Sequence, residues 1–155
     1  MNLIQAETPE QVAEARRLFR EYQDWLGLDL CFQNFENELK NLPGDYAPPS
    51  GRLLLAEADG ATAGCVALRP AGSGACEMKR LYVRPAFQGT GLGRRLAEAI
   101  ISEARSSGYE KMMLDTLPAH MGRAVGLYRS LGFVETAPYY HNPVEGALYM
   151  ELRLL

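Results

Sequence analysis

Apolar residues recur along this chain in two rhythms. Val12, Ala15, Phe19 and Tyr22 fall three and four positions apart, the spacing of one buried helical face. Thr8-Pro9-Glu10-Gln11 ahead of them supplies an N-cap, a first-turn proline and a capping-box glutamine. A helix is predicted from there to about Gly27, after a short strand over residues 2–6. A second, shorter helix is predicted around Phe32–Leu39. Leu42–Gly51 carries Pro43, Pro48 and Pro49 and reads as a loop, because proline has no N–H to give a helix or a central strand.

The rhythm then tightens. Arg52–Glu57 and Ala63–Arg69 read as strands about an Ala58-Asp59-Gly60 turn, Ala71–Gly74 as another turn and Cys76–Val83 as a third strand. Helical spacing returns at Leu92, Leu96, Ile100 and Ala104, with Gly108 placed to close that helix. Lys111–Thr116 is a short strand, and residues 121–131 a helix with Ala124, Tyr128 and Leu131 on one side, stopped by Gly132. Phe133–Tyr139 and Ala147–Leu154 are expected to pair as strands about His141–Gly146. The fold class expected from this order is α/β, with a single mixed, mostly antiparallel sheet flanked by helices.

Composition narrows the function. A chain of 155 residues suits one domain, here taken as residues 1–155. A net charge of −3 argues against nucleic acid as a partner. No apolar run approaches the ~18 residues of a membrane span. The first residues lack the basic-then-apolar layout of a signal peptide. Cys31, Cys65 and Cys76 have no CxxC spacing, and His120 and His141 no metal-motif spacing, so free thiols in a reducing cytoplasm and no metal are expected.

One stretch carries chemistry. Gln88-Gly89-Thr90-Gly91-Leu92-Gly93-Arg94-Arg95 stands between a strand and an amphipathic helix. Glycine permits positive φ and close approach of a ligand to the backbone, and a helix N-terminus favours negative charge. A phosphate or pyrophosphate fits this turn, with Arg94 and Arg95 as countercharge. The alternative is a glycine-rich turn that holds nothing. Counting from Gly89 the sixth residue is Arg94, which departs from the dinucleotide fingerprint, and no Gly-Lys-Ser/Thr ends the run as a P-loop requires.

With its flanks, the run from Glu77 to Phe133 resembles the GNAT superfamily of acetyl-CoA-dependent N-acetyltransferases. The likeness rests on Leu81-Tyr82-Val83-x-Pro85, on Gln88-x-x-Gly91-x-Gly93, on Asp115-Thr116, and on Ala124-x-x-Leu127-Tyr128-x-x-Leu131-Gly132-Phe133. It implies the acyl-CoA N-acyltransferase fold and acetyl-CoA as acyl donor. Backbone groups of Leu81, Tyr82 and Val83 would pair with the pantetheine arm. Amides of Gln88, Gly89, Thr90, Gly91, Leu92, Gly93 and Arg94 would cradle the pyrophosphate. Tyr128 stands where many members protonate the departing thiolate, and Glu77 six residues before Val83, where histone-acetylating members carry a catalytic glutamate. Many members carry Asn where this chain has Met121, so its hydrogen bond to the cofactor or to the helix start is either missing or made by His120 or Arg123.

Each role has a structural alternative. Tyr128 also fits a core position by its helical spacing, and Glu77 also fits an ion pair with Lys79 or Arg80. Strand alternation puts Glu77, Lys79, Leu81 and Val83 on one face unless a bulge breaks the parity. Tyr139, Tyr140 and His141 either line an acceptor pocket or cap the last hairpin. Amide formation also needs an amine stripped of its proton, so a base or a water relay is required.

The reaction implied is transfer of acetyl from acetyl-CoA directly to a primary amine of a small molecule or peptide. The alternatives are a non-catalytic acetyl-CoA sensor and an enzyme directed to a protein lysine or N-terminus. Dimers are common in the family, so a homodimer is one assembly to expect. Glu21, Asp24, Asp29, Glu36, Glu38 and Asp45 stand against a single Lys40 between residues 21 and 50, which would steer a cationic amine towards the cleft. An acidic solvated surface would look the same in sequence.

Overall fold

A computed structural model describes residues 2–28, 30 and 34–155. Cys31, Asp29 and the beginning of the helix expected around Phe32–Leu39 lie outside the described residues. The chain runs β1 (Asn2–Gln5), α1 (Pro9–Leu26), α2 (Phe35–Asn41), β2 (Arg52–Ala58), β3 (Ala61–Pro70), β4 (Ala75–Val83), α3 (Leu92–Ser106), β5 (Lys111–Thr116), α4 (Gly122–Ser130), β6 (Val134–Glu135) and β7 (Leu148–Arg153). Its seven-stranded sheet has the order β1-β2-β3-β4-β5-β7-β6. Every pairing is antiparallel except β4 with β5.

Local chemistry explains the boundaries. The Thr8 hydroxyl accepts from the Gln11 N–H at 3.1 Å and the Gln11 side chain accepts from the Thr8 N–H at 3.0 Å, closing the capping box of α1. Asp59 and Gly60 both have positive φ (52° and 76°), as a two-residue hairpin turn between β2 and β3 demands. One expected element is much shorter. The strand predicted to reach Tyr139 stops at Glu135, although the Thr136 N–H still donates to the Tyr149 carbonyl. Pro138 has no N–H to extend the ladder, and Tyr139 and Tyr140 direct their hydroxyls at carboxylates on the sheet instead.

The core lies on both faces of the sheet. On one, Leu96, Ala97, Ile100 and Ala104 of α3 pack on Val66, Leu68, Met78 and Leu114. On the other, Ala15, Leu18 and Phe19 of α1 and Phe35 and Leu39 of α2 cover Leu53, Leu55, Cys65 and Ala67. Gly64 lets β4 and α3 close on β3, because a Cβ there would stand 2.6 Å from the Tyr82 carbonyl oxygen and 3.1 Å from Leu96.

Two irregularities of β4 shape the two sides of this strand. Opposite Val66, two residues, Arg80 and Leu81, face one, and Arg80 takes φ 60°. This bulge breaks the alternation. Leu81 and Val83 pack on the α3 cluster, whereas Glu77 and Lys79 belong to the opposite face, which Tyr82 shares. The one-face expectation for Glu77, Lys79, Leu81 and Val83 therefore gives way to two faces. The second irregularity is a parting: β4 pairs with β5 only from Ala75–Glu77 to Lys111–Met113, while both strands continue beyond.

Candidate active site

The parting of the two strands opens a narrow cleft of about 40 Å³. Lys79, Arg80 and Leu81 border it from β4, and Leu114, Asp115, Thr116 and Leu117 from the end of β5. Tyr128 closes it from α4. The Tyr128 ring is buried and packs edge-on to Phe133 at 5.7 Å between centroids. Burial, then Tyr22 and Asp115, raise its phenol above the ordinary tyrosine value, so it keeps its proton through the neutral range. The Thr116 hydroxyl in the same wall is buried without a hydrogen-bond partner. An orphan of this kind is ready for a polar group that enters the cleft. Met121 is the N-cap of α4 and lines the cleft, and no side chain caps that helix start. Neither His120 nor Arg123 replaces the missing asparagine there.

Beyond β4 the chain makes the glycine turn. Gly89 and Gly91 take φ of 79° and 83°, with nothing within 4 Å of where a Cβ would stand at either. Gly91 is the N-cap of the 15-residue α3, whose first turn has no side-chain cap. The first N–H groups of a helix lack intrahelical partners, so this turn leaves donors facing open space. Thr90 donates its hydroxyl proton to the Phe87 carbonyl at 2.6 Å, and the Gln88 amide donates to the Val83 carbonyl at 3.0 Å. The second bond ties the turn to the end of β4. Exposed Arg94 reaches across to Ser130 of α4 at 3.2 Å.

Glu77 is not in that cleft. It is buried on the wall of a second, more open pocket of about 510 Å³, with Arg69, Lys79, Asp45, Tyr139 and Tyr140. Its Oε1 accepts from Arg69 Nε at 2.9 Å, and its Oε2 accepts from the Tyr139 hydroxyl at 2.6 Å. Lys79 Nζ lies 3.8 Å from the same Oε2. Burial, then the Glu77 carboxylate, push the Tyr139 phenol up. Burial, then Arg80, pull Lys79 down from 10.5 to about 8. Asp115 on β5 is the matching anchor. It accepts from the Tyr140 hydroxyl and, at 2.9 Å, from the Asn142 amide. The segment before β7 is thus strapped over the two strands by two carboxylates, and the aromatic residues both line the pocket and hold the loop.

The acidic segment is partly neutralised from within. Glu38 takes both Arg80 Nε and Nη2, at 2.9 and 3.0 Å, under the faces of Phe35 and Tyr22. Glu21 takes Arg84 at 3.0 and 2.7 Å. The field expected from six acids is therefore reduced at those two positions. The cysteines that the structure describes, Cys65 and Cys76, are free and buried, and burial raises both thiols, Cys76 to about 12. Neither is a ready nucleophile. Among the described residues no group of three or more His, Cys, Asp or Glu could hold a metal, and no helix is long and apolar enough to cross a membrane.

The sequence profile of the Acetyltransferase (GNAT) family matches residues 9–133. The chain belongs to that family. An uncharacterised N-acetyltransferase of Schizosaccharomyces pombe is 46% identical over 148 residues, covering 94% of this chain and 90% of the relative. In architecture this GNAT protein matches a GNAT-family acetyltransferase of Staphylococcus aureus, with a TM-score of 0.82, 16% identity and 99% coverage of both chains. It also matches a Salmonella typhimurium acetyltransferase solved with its cofactor acetyl-CoA, with a TM-score of 0.67, 24% identity and coverage of 99% of this chain and 94% of that one.

The residues nominated from sequence fall into two groups in this GNAT fold. Tyr128, Leu81 and the end of β5 meet at the cleft, and Gln88–Arg94 lead from β4 into α3. Tyr82 turns its ring to α1, against Tyr22 and Trp25, and does not border the cleft. Glu77 stands apart, one pocket away. In the sequence Lys79 stands out only as a neighbour of Glu77, and no motif points to Arg69 or Asn142. A lysine in the middle of a strand rich in buried residues was the available signal, since lysine is seldom fully buried.

Proposed function

We propose that this GNAT protein transfers the acetyl group of acetyl-CoA to a primary amine of a small molecule or peptide. The observation that carries the reading is the parting of β4 and β5 with the Tyr128 phenol closing the gap. The residues present suit an acyl-CoA. Leu81, Tyr82 and Val83 lie on β4 beyond its last pairing with β5, where an extended arm finds backbone partners. The unfilled space at Gly89 and Gly91 suits a pyrophosphate held by the amides of Gln88–Arg94. The orphan Thr116 hydroxyl gives the cleft wall a free polar contact. The Salmonella relative, solved with acetyl-CoA, supports the same donor here.

Bound acetyl-CoA supplies the activated acyl carbon. Tyr128, held protonated by its burial, donates to the departing sulfur. Glu77, from the neighbouring pocket, governs the proton that the amine must lose. That pocket, at about 510 Å³, falls within the range of small-ligand sites and is the acceptor's side.

Thiol release measured against a panel of spermidine, lysine amide, glutamate and aspartate, with a no-amine control for the protein's own cysteines, tests the reaction. Acetyl-CoA should raise the melting temperature of the native chain, and Gly91→Asp should abolish that rise by placing a carboxylate in the cradle. Tyr128→Phe should keep the rise and lower kcat by roughly 10²-fold. A native chain that neither binds acetyl-CoA nor releases thiol with any amine refutes the assignment.

A further inference from the structure

We propose that Lys79 is the group that takes the proton from the incoming amine, with Glu77 acting through it. This deepens the acetyl-transfer reading and rests on it. Among the described residues, Lys79 alone lines both the cleft beside Tyr128 and the pocket beside Glu77. With the acceptor in the pocket beside Glu77, Lys79 is the residue that joins its site to the cleft. Glu77 does not border the cleft, and its two oxygens already accept from Arg69 at 2.9 Å and Tyr139 at 2.6 Å. Its closest link to the cleft is Lys79 Nζ, 3.8 Å from Oε2.

The surroundings suit a lysine that changes charge. Only 4% of its side chain is exposed. It faces Glu77 and Arg80 from its own strand, Arg69 from β3 and Asp115 from β5. Tyr22 of α1 and Tyr128 of α4 border the cleft with it, and Asp45, Tyr139 and Tyr140 border the pocket. Burial and Arg80 oppose its charge, while Glu77 and Asp115 favour it. The balance, near 8, leaves a working fraction neutral at physiological pH, which a general base requires. The acceptor ammonium gives one proton to neutral Nζ, and its freed lone pair attacks the acyl carbon. The C–S bond then breaks and Tyr128 gives its proton to the departing thiolate. The second proton, lost from the nitrogen as the amide forms, restores the phenol through water. Lys79 becomes an ammonium beside Glu77, then returns the proton to solvent through the open pocket.

The test is the pH dependence of kcat at saturating acetyl-CoA, on the panel amine that turns over fastest. The native protein should show a limb rising through about pH 8. Lys79→Met should lose that limb and fall roughly 10²-fold at pH 7.5, with its thermal shift by acetyl-CoA intact. Glu77→Gln should turn over at a reduced rate with the limb displaced to lower pH, because the carboxylate that favours a charged lysine is gone. Lys79→Arg, permanently protonated, should resemble Lys79→Met. A limb that survives in Lys79→Met, or that vanishes in Glu77→Gln alone, overturns the proposal and assigns the base to Glu77 or to water. Absence of amine-dependent thiol release by the native protein is a separate failure, seen before any variant is made, and removes the reaction itself.

Discussion

The two faces of β4 solve opposite problems. Towards α3 the strand presents Cys76, Met78, Leu81 and Val83, and the packing there is apolar, with Leu96 and Ile100 fully buried. Towards α1, α2 and the loop before β7 it presents Glu77, Lys79, Arg80 and Tyr82. Glu77, Lys79 and Arg80 are three of the four buried polar or charged residues found among those described, Thr116 being the fourth. Burial of apolar area is non-directional and stabilises wherever it occurs. Burial of charge costs several kcal/mol per ion unless geometry returns it, so each charge must have its partner in place. The difference teaches where specificity resides. One face holds the fold together, and the other keeps a set of ionisable groups dry, paired and adjacent to a pocket, the usual setting for perturbed proton chemistry. The bulge at Arg80 permits both, since it turns Lys79 and Arg80 to the charged side and Leu81 to the apolar one.

Breaking the charged face should therefore cost most. Arg80→Met leaves Glu38 buried without its guanidinium, both partners being nearly inaccessible, with side chains 2% and 9% exposed. A loss of about 3–5 kcal/mol in urea unfolding is expected, with much of it recovered in Arg80→Met/Glu38→Met. A loss under about 1 kcal/mol would mean that this pair behaves like a surface one and that the two faces do not differ. On the apolar face, Leu96→Ala should cost about 2–4 kcal/mol through its cavity. That loss should be the same at pH 6 and pH 9, since no ionisable partner is involved. A pH-dependent loss there would join the two faces into one coupled unit.

Most of the fold was legible because its signals are local. The Thr8–Gln11 cap, the Asp59-Gly60 turn, the Lys111–Thr116 strand and the glycine turn into α3 each declare themselves within a few residues. Tyr128 was legible through its motif, and it lines the cleft. What was not legible depends on contacts distant in sequence. Tyr139 meets Glu77 across 62 positions and Arg80 meets Glu38 across 42, and no periodicity encodes either. The strand expected over Phe133–Tyr139 shortened for the same reason, because carboxylates on β4 and β5 claim the side chains that a longer hairpin would have turned elsewhere. The bulge was foreseeable as an option but not as a position. Only the register fixes it at Arg80–Leu81.

The smallest effect separates charge from packing at Lys79 itself. Its pKa is about 8 in the folded chain against 10.5 in the ordinary lysine. Below pH 8 it is protonated in both states, so the native state bears the full cost of burying the ammonium. Between about pH 8 and 10.5 the native lysine has released its proton while the unfolded one has not, so the unfolded state binds more protons and stability rises with pH. Lys79→Met removes the ammonium and keeps an unbranched apolar side chain in its place. It should stabilise the protein at pH 7 by on the order of 1 kcal/mol, the loss of the Glu77 contact offsetting part of the relief. That gain should shrink steadily in unfolding measurements from pH 8 to pH 10. A gain of equal size at pH 7 and pH 10 would trace it to packing rather than charge, and a loss at pH 7 would make the Glu77–Lys79 contact a net stabiliser. The expected sign sets the charged face against the apolar one most directly: a substitution that strengthens the fold while removing turnover identifies a residue kept for chemistry.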